Sequence, residues 1–118
     1  MGKRRGTGDR VVAPFGSRLR AARAARGPLC VGLDPHPQLL QAWGLHDDVA
    51  GVEVFARTVT DALADRVSLL KPQLAFFERH GSRGMAVLEQ VVLDARSAGA
   101  LVLLDAKRGD IGSTMQAY

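Results

Sequence analysis

Three ionisable side chains, Asp105, Lys107 and Asp110, stand at Asp-x-Lys-x-x-Asp spacing directly after the apolar run at residues 101–104. In an extended segment, residues two apart point the same way, so Asp105 and Lys107 share a side. Gly109 provides a bend that carries Asp110 toward a neighbouring site. An ammonium between carboxylates suits a reaction that builds negative charge on carbon, because it both stabilises that charge and donates a proton. The carboxylates keep the lysine protonated at neutral pH, so it serves as an acid rather than as a nucleophile. Two other uses share the spacing: a salt-bridged surface turn, and a magnesium site built on Asp105 and Asp110. Lys107 competes with a cation for those carboxylates, which ranks a metal second, and none is expected.

Such a cluster has to be held by elements that end beside it. Residues 101–104 have the length and apolar character of a strand buried on both faces. Two further short apolar runs, 29–33 and 67–70, lead into Asp34 and Lys71. Residues 52–66 read as an amphipathic helix, with Val52, Phe55, Val59 and Leu63 at helical spacing. A second helix turns Met85, Leu88, Val91, Val92 and Ala95 inward and ends at Gly99. Ahead of the first strand, Ser17 caps a helix running to Arg26, with Leu19, Ala22 and Ala25 on one side, most of its arginines outward, and Gly27-Pro28 as its stop. Residues 39–43 read as a helical turn, 44–48 as a loop, 78–84 as a polar elbow, and Ser113 as the cap of a helix begun by residues 114–118.

Alternating strands and helices imply a parallel sheet with right-handed crossovers. Charges at successive strand C-termini mark the end where a β/α barrel holds its active site. A dinucleotide-binding fold fits less well, because no Gly-x-Gly-x-x-Gly follows the first strand. The expected class is α/β, the N-terminal portion (about three strand–helix units) of a TIM-type (β/α)8 barrel.

Of 118 residues, 47% are hydrophobic and 24% charged, the balance of a globular domain rather than of a disordered or membrane-spanning chain. The net charge of +4 is unevenly spread: residues 1–26 carry eight Lys/Arg against Asp9 alone, and the remainder eight against eleven Asp/Glu. The basic excess belongs to a leader, residues 1–14, expected to be disordered, and to the first helix; residues 15–118 are expected to be the N-terminal part of one truncated barrel domain. No groove-reading element follows the basic stretch, so no nucleic-acid partner is expected, and no apolar run is long enough for a membrane partner. The single cysteine, Cys30, has no internal disulfide partner, which fits a cytoplasmic location and a buried, inert thiol.

Residues 105–114, Asp-Ala-Lys-Arg-Gly-Asp-Ile-Gly-Ser-Thr, resemble the catalytic signature of the orotidine 5′-phosphate decarboxylase family, in the bacterial form that carries Asp-Ala-Lys-Arg-Gly-Asp. Cys30-Val-Gly-Leu-Asp-Pro-His-Pro and Leu70-Lys-Pro-Gln-Leu-Ala-Phe-Phe-Glu resemble that group's first and second strand motifs, in the right order. The resemblance implies decarboxylation of orotidine 5′-phosphate to uridine 5′-phosphate in pyrimidine biosynthesis, with no cofactor. It implies that Lys107 donates the proton to C6, with Asp105 beside the departing carboxylate. Asp34 and Lys71 would bind the ribose hydroxyls. Asp110, Ile111 and Thr114 would serve the partner subunit's site in a homodimer.

His36 is read as fixing the proline-bracketed turn, Phe76 and Phe77 as core or interface packing, and Trp43 as packing. Three strands do not close an eight-stranded barrel, and the phosphate of such barrels is often held by loops after the seventh and eighth strands. The chain is therefore expected to be an N-terminal piece, inactive alone and, with an open edge at its third strand, poorly soluble. The alternatives are a magnesium-dependent sugar-phosphate decarboxylase or aldolase with the same motif, and a non-catalytic basic binding fragment.

Overall fold

The computed structural model describes residues 11–107. Its elements run α1 (Phe15–Arg26), β1 (Cys30–Leu33), α2 (Pro37–Ala42), α3 (Val49–Leu63), β2 (Leu69–Pro72), α4 (Ala75–Glu78), α5 (Gly81–Ser97) and β3 (Leu101–Val102). The strands form one parallel sheet in the order β1-β2-β3, with Cys30 opposite Leu69 and Leu69 opposite Leu101. The strand–helix alternation read from the sequence is borne out, and the order is that of consecutive strands in a barrel wall.

Helices cover one face of the sheet. Leu33 packs with Val52, Phe55, Val87, Leu88 and Val91 of α3 and α5. Lower down, Val31, Leu70 and Val102 pack with Ala64, Val67 and Ala95. Because strand side chains alternate, Cys30, Gly32, Lys71 and Leu103 fall on the other face. Residues 101–104 are thus not buried on both faces as expected: Leu101 and Val102 are half-buried, and Leu103 and Leu104 are exposed. Cys30, expected inside, is exposed for the same reason.

Local chemistry explains where the elements begin. α1 starts at Phe15, after an extended Pro14, and Ser17 accepts a bond from Arg20 instead of capping the helix. Ala25 is exposed while Arg26 turns inward. The expected turn at 39–43 is a helix from Pro37, the favoured residue for a first helical position. His36 does fix this turn: its Nδ1 accepts the Leu39 N–H at 3.2 Å. α3 starts at Val49, because Asp48 caps it by accepting the Gly51 N–H at 2.8 Å.

β2 begins at Leu69, since Ser68 is drawn into the turn below it by a bond to the Gly27 carbonyl. The elbow at 78–84 shrinks to Arg79 and His80 between α4 and α5. On α5 the inward set is Gly84, Val87, Leu88, Val91 and Ala95, with Met85 outside. Phe77 is wholly buried, Phe76 lies 6.0 Å from His36, and Trp43 stacks on Phe55 at 4.5 Å while staying partly exposed. Residues 1–10 of the leader and the helix expected from Ser113 lie outside the described residues. Among the described residues no helix is long and apolar enough to cross a membrane.

One inward arginine closes the N-terminal end of the sheet. Arg26 Nη1 donates to the carbonyls of Ala64 at 2.7 Å and Val67 at 3.2 Å, and Nη2 to that of Ala98 at 2.8 Å. Ala64 and Ala98 are the C-caps of α3 and α5, so the guanidinium meets the negative ends of two helix dipoles. Gly99 makes this approach possible: its φ is +99°, and a Cβ there would overlap the guanidinium.

Candidate active site

The regular part of β3 stops at Val102, yet its hydrogen bonding to β2 continues to the charged cluster. The Leu103 N–H donates to Leu70 at 2.9 Å and the Asp105 N–H to Pro72 at 2.9 Å, while the Asp105 carbonyl accepts from Leu74 at 2.9 Å. Asp105 is thereby fixed opposite Gln73 at the C-terminal end of the sheet. Backbone pairing, which side-chain identity alone does not reveal, sets the position of this carboxylate.

Lys71 leaves β2 on the same face, and its Nζ lies 3.5 Å from Asp105 Oδ2. Lys107, two residues beyond Asp105, brings its Nζ to 2.5 Å from the same oxygen. The side chains grade outward from the sheet, with Asp105 20% exposed, Lys71 39% and Lys107 72%. The Lys107 hydrogen bond, opposed in part by burial and helped by the charges of Lys107 and Lys71, holds the Asp105 carboxyl below its ordinary value of 3.8. Asp105 is ionised throughout the neutral range and meets Lys107 as a carboxylate.

Asp34 stands at the same end of the sheet, half-buried just beyond β1. Its backbone carbonyl accepts the His36 N–H at 2.7 Å, which starts the turn into α2. Among the described residues its carboxylate forms no ion pair with Lys71. The structure therefore joins Lys71, Asp105 and Lys107 directly and sets Asp34 beside them. Asp110, Ile111 and Thr114 lie outside the described residues.

Sequence reasoning passed over Gln73. Its side-chain nitrogen donates to Asp105 Oδ2 at 3.2 Å. The signal is present in the spacing, because Lys71 and Gln73 are two apart in a segment that stays extended past the end of β2 and so share a face. A groove of about 620 Å³ beside β3, lined by Val12, Phe15, Arg18, Val92, Arg96 and Leu104 among others, includes none of these groups. The charged network sits on the open face of the sheet.

A family model described as orotidine 5′-phosphate decarboxylase / HUMPS family matches residues 27–118. The orotidine 5′-phosphate decarboxylase of Streptomyces coelicolor is 71% identical over 107 residues, covering 91% of this chain and 38% of that protein. Its counterpart from Nocardioides is 70% identical over 107 residues, covering 39% of that protein. A crystal structure from Streptomyces avermitilis assigned to the same enzyme superposes with a TM-score of 0.85 at 62% identity, over 98% of this chain and 40% of that one. Leishmania donovani UMP synthase superposes with a TM-score of 0.66 at 34% identity, over 91% of this chain and 22% of that one. The chain spans less than half the length of the curated relatives it matches.

Proposed function

This chain belongs to the orotidine 5′-phosphate decarboxylase / HUMPS family, and from that premise we propose that it carries the proton-donating part of a site converting orotidine 5′-phosphate to uridine 5′-phosphate and carbon dioxide. The observation that carries this reading is the convergence of two lysine ammonium groups on one oxygen of Asp105 at the strand ends. As the bond from C6 to the carboxylate breaks, its electron pair stays on C6. Lys107 Nζ delivers a proton to that carbon, carbon dioxide departs, and the neutral amine regains a proton from water. Asp105 pairs with the Lys107 ammonium and aims it. A positioned acid and a carboxylate account for every bond in this step, so the proposed reaction uses no cofactor or metal.

The motif resemblance supports further assignments. Asp34 and Lys71 bind the ribose hydroxyls, while Asp110, Ile111 and Thr114 serve the partner subunit's site in a homodimer. The substrate is a small nucleotide and the setting the cytoplasm, where pyrimidine nucleotides are made. The Streptomyces and Nocardioides relatives carry the name orotidine 5′-phosphate decarboxylase, which favours this reading over a magnesium-dependent aldolase.

The test is a chimaera in which this chain replaces the matching segment of the Streptomyces coelicolor relative, assayed for carbon dioxide release from orotidine 5′-phosphate. Turnover is expected, with EDTA leaving it unchanged, and the 118-residue chain alone is expected to give none. A chimaera that folds and binds uridine 5′-phosphate without turnover, or one whose Lys107→Ala variant keeps full activity, overturns the proposal.

A further inference from the structure

We infer that Gln73 is a positioning residue that locks the Asp105 carboxylate, and through it the Lys107 ammonium, into the orientation needed for proton delivery. The inference deepens the decarboxylase reading and rests on it. Gln73 follows directly on β2, in an isolated parallel bridge with Asp105. Its backbone N–H donates to Leu33 of β1 at 3.1 Å, and its neighbour Leu74 donates to Asp105 at 2.9 Å. The backbone that bears the amide is therefore held from two strands. Its Nε2 meets Asp105 Oδ2 at 3.2 Å, the oxygen that Lys71 approaches to 3.5 Å and Lys107 to 2.5 Å.

The three donors are not equivalent. Each lysine reaches Oδ2 on a flexible four-carbon stem, and an ammonium is a rotationally undemanding point charge. Neither fixes the plane of the carboxylate. A glutamine amide is planar and directional, and its side chain starts from a backbone already fixed by the sheet. Its neutrality matters equally. A third cation at this place would compete with Lys107 for Asp105, and a second carboxylate would repel Asp105. Asp105, Lys71 and Lys107 meet at this oxygen and Asp34 stands at the same end of the sheet, so an uncharged donor adds orientation without altering their charge balance.

The chimaera described above supplies the test. Gln73→Leu is expected to lower kcat by about 10- to 100-fold, the cost of a misaimed reacting group, with KM and uridine 5′-phosphate affinity within about twofold. Gln73→Glu, of the same shape, is expected to lose more activity at pH 8 and to recover part of it as pH falls, because the introduced carboxyl donates to Asp105 once protonated. A 13C titration of the Asp105 carboxyl reads the contact without turnover, and its midpoint is expected to rise in Gln73→Leu. Unchanged kcat in Gln73→Leu, or an unmoved Asp105 midpoint, overturns the inference. So does a parallel fall in kcat, product affinity and thermal midpoint with a parent-like pH profile for Gln73→Glu, which marks a structural role. Absence of turnover in the parent chimaera counts against the decarboxylase reading instead, and the carboxyl titration still decides whether Gln73 holds Asp105.

Discussion

At the N-terminal end of the sheet the positive charge of Arg26 is spent on backbone carbonyls, whereas at the C-terminal end Lys71 and Lys107 share one carboxylate oxygen. Arg26 reaches Ala64, Val67 and Ala98 and so ties the ends of α3 and α5 to the turn before β2. The planar fork suits this work, since several donors are placed at once in a rigid array. Lys107 is 72% exposed and held through Asp105. A cation saturated by backbone holds the fold together, and one paired with a carboxylate at the strand ends is placed where a barrel does its chemistry. This division follows the barrel pattern in which one end of the strands carries stability and the other chemistry.

Exchanging the damage between the two ends gives the largest contrast. Lys107→Ala in the chimaera is expected to reduce kcat by roughly 10²- to 10⁴-fold, the range for a positioned proton donor, with the urea midpoint unmoved. Arg26→Ala is expected to do the reverse, lowering stability by about 2 kcal/mol as carbonyls in the closed turn lose their partner. Activity of the folded fraction, measured well below the urea midpoint, should stay at the parent level. If Arg26→Ala cuts kcat without loss of stability, the division between the ends fails.

Gly99→Ala probes the same clamp from the other side. A left-handed φ and the collision with Arg26 together should cost about 1–2 kcal/mol, again read from urea unfolding. Combined with Arg26→Ala, the substitution should cost less than the separate losses added, because the collision is gone. Strict additivity would mean that the two residues do not meet.

The smallest effect is the pH dependence at the charged end. Asp105 has its carboxyl lowered in the folded chain, so its stabilising contribution is present above the ordinary value of 3.8 and is lost as pH falls through the folded value. The stability difference between parent and Asp105→Asn should therefore shrink as pH is taken from 6 to below about 3, followed by chemical denaturation at each pH. A difference that stays constant over that range would show that the two lysines do not hold Asp105 ionised.

Much of the organisation was legible because it depends on short-range geometry. Val52, Phe55 and Val59 at helical spacing mark α3, and Asp34 and Lys71 after apolar runs mark two strand ends. The misreadings occur where a distant group intervenes. Met85 faces out and Val87 in, because the packing of α5 against α3 and the sheet sets its rotation. Nothing local distinguishes Arg26 from the outward arginines of α1, since its carbonyl partners lie 38 to 72 residues away in the chain. Asp48 was readable as a cap and was passed over as loop. The composition of residues 101–104 suggests double burial, but hydrophobicity alone does not say how many layers flank a strand.

By itself the sequence determined the alternation of strands and helices, the shared side of Asp105 and Lys107, and that of Lys71 and Gln73. Those follow from the two periods that covalent backbone geometry imposes on any chain. Tertiary structure decided that Asp105 stands opposite Gln73, that Lys71 and Lys107 converge on one oxygen, and that Arg26 turns inward. These depend on strand register and helix packing, which are settled by burying surfaces far apart in the chain and so leave no local mark in the residues they bring together.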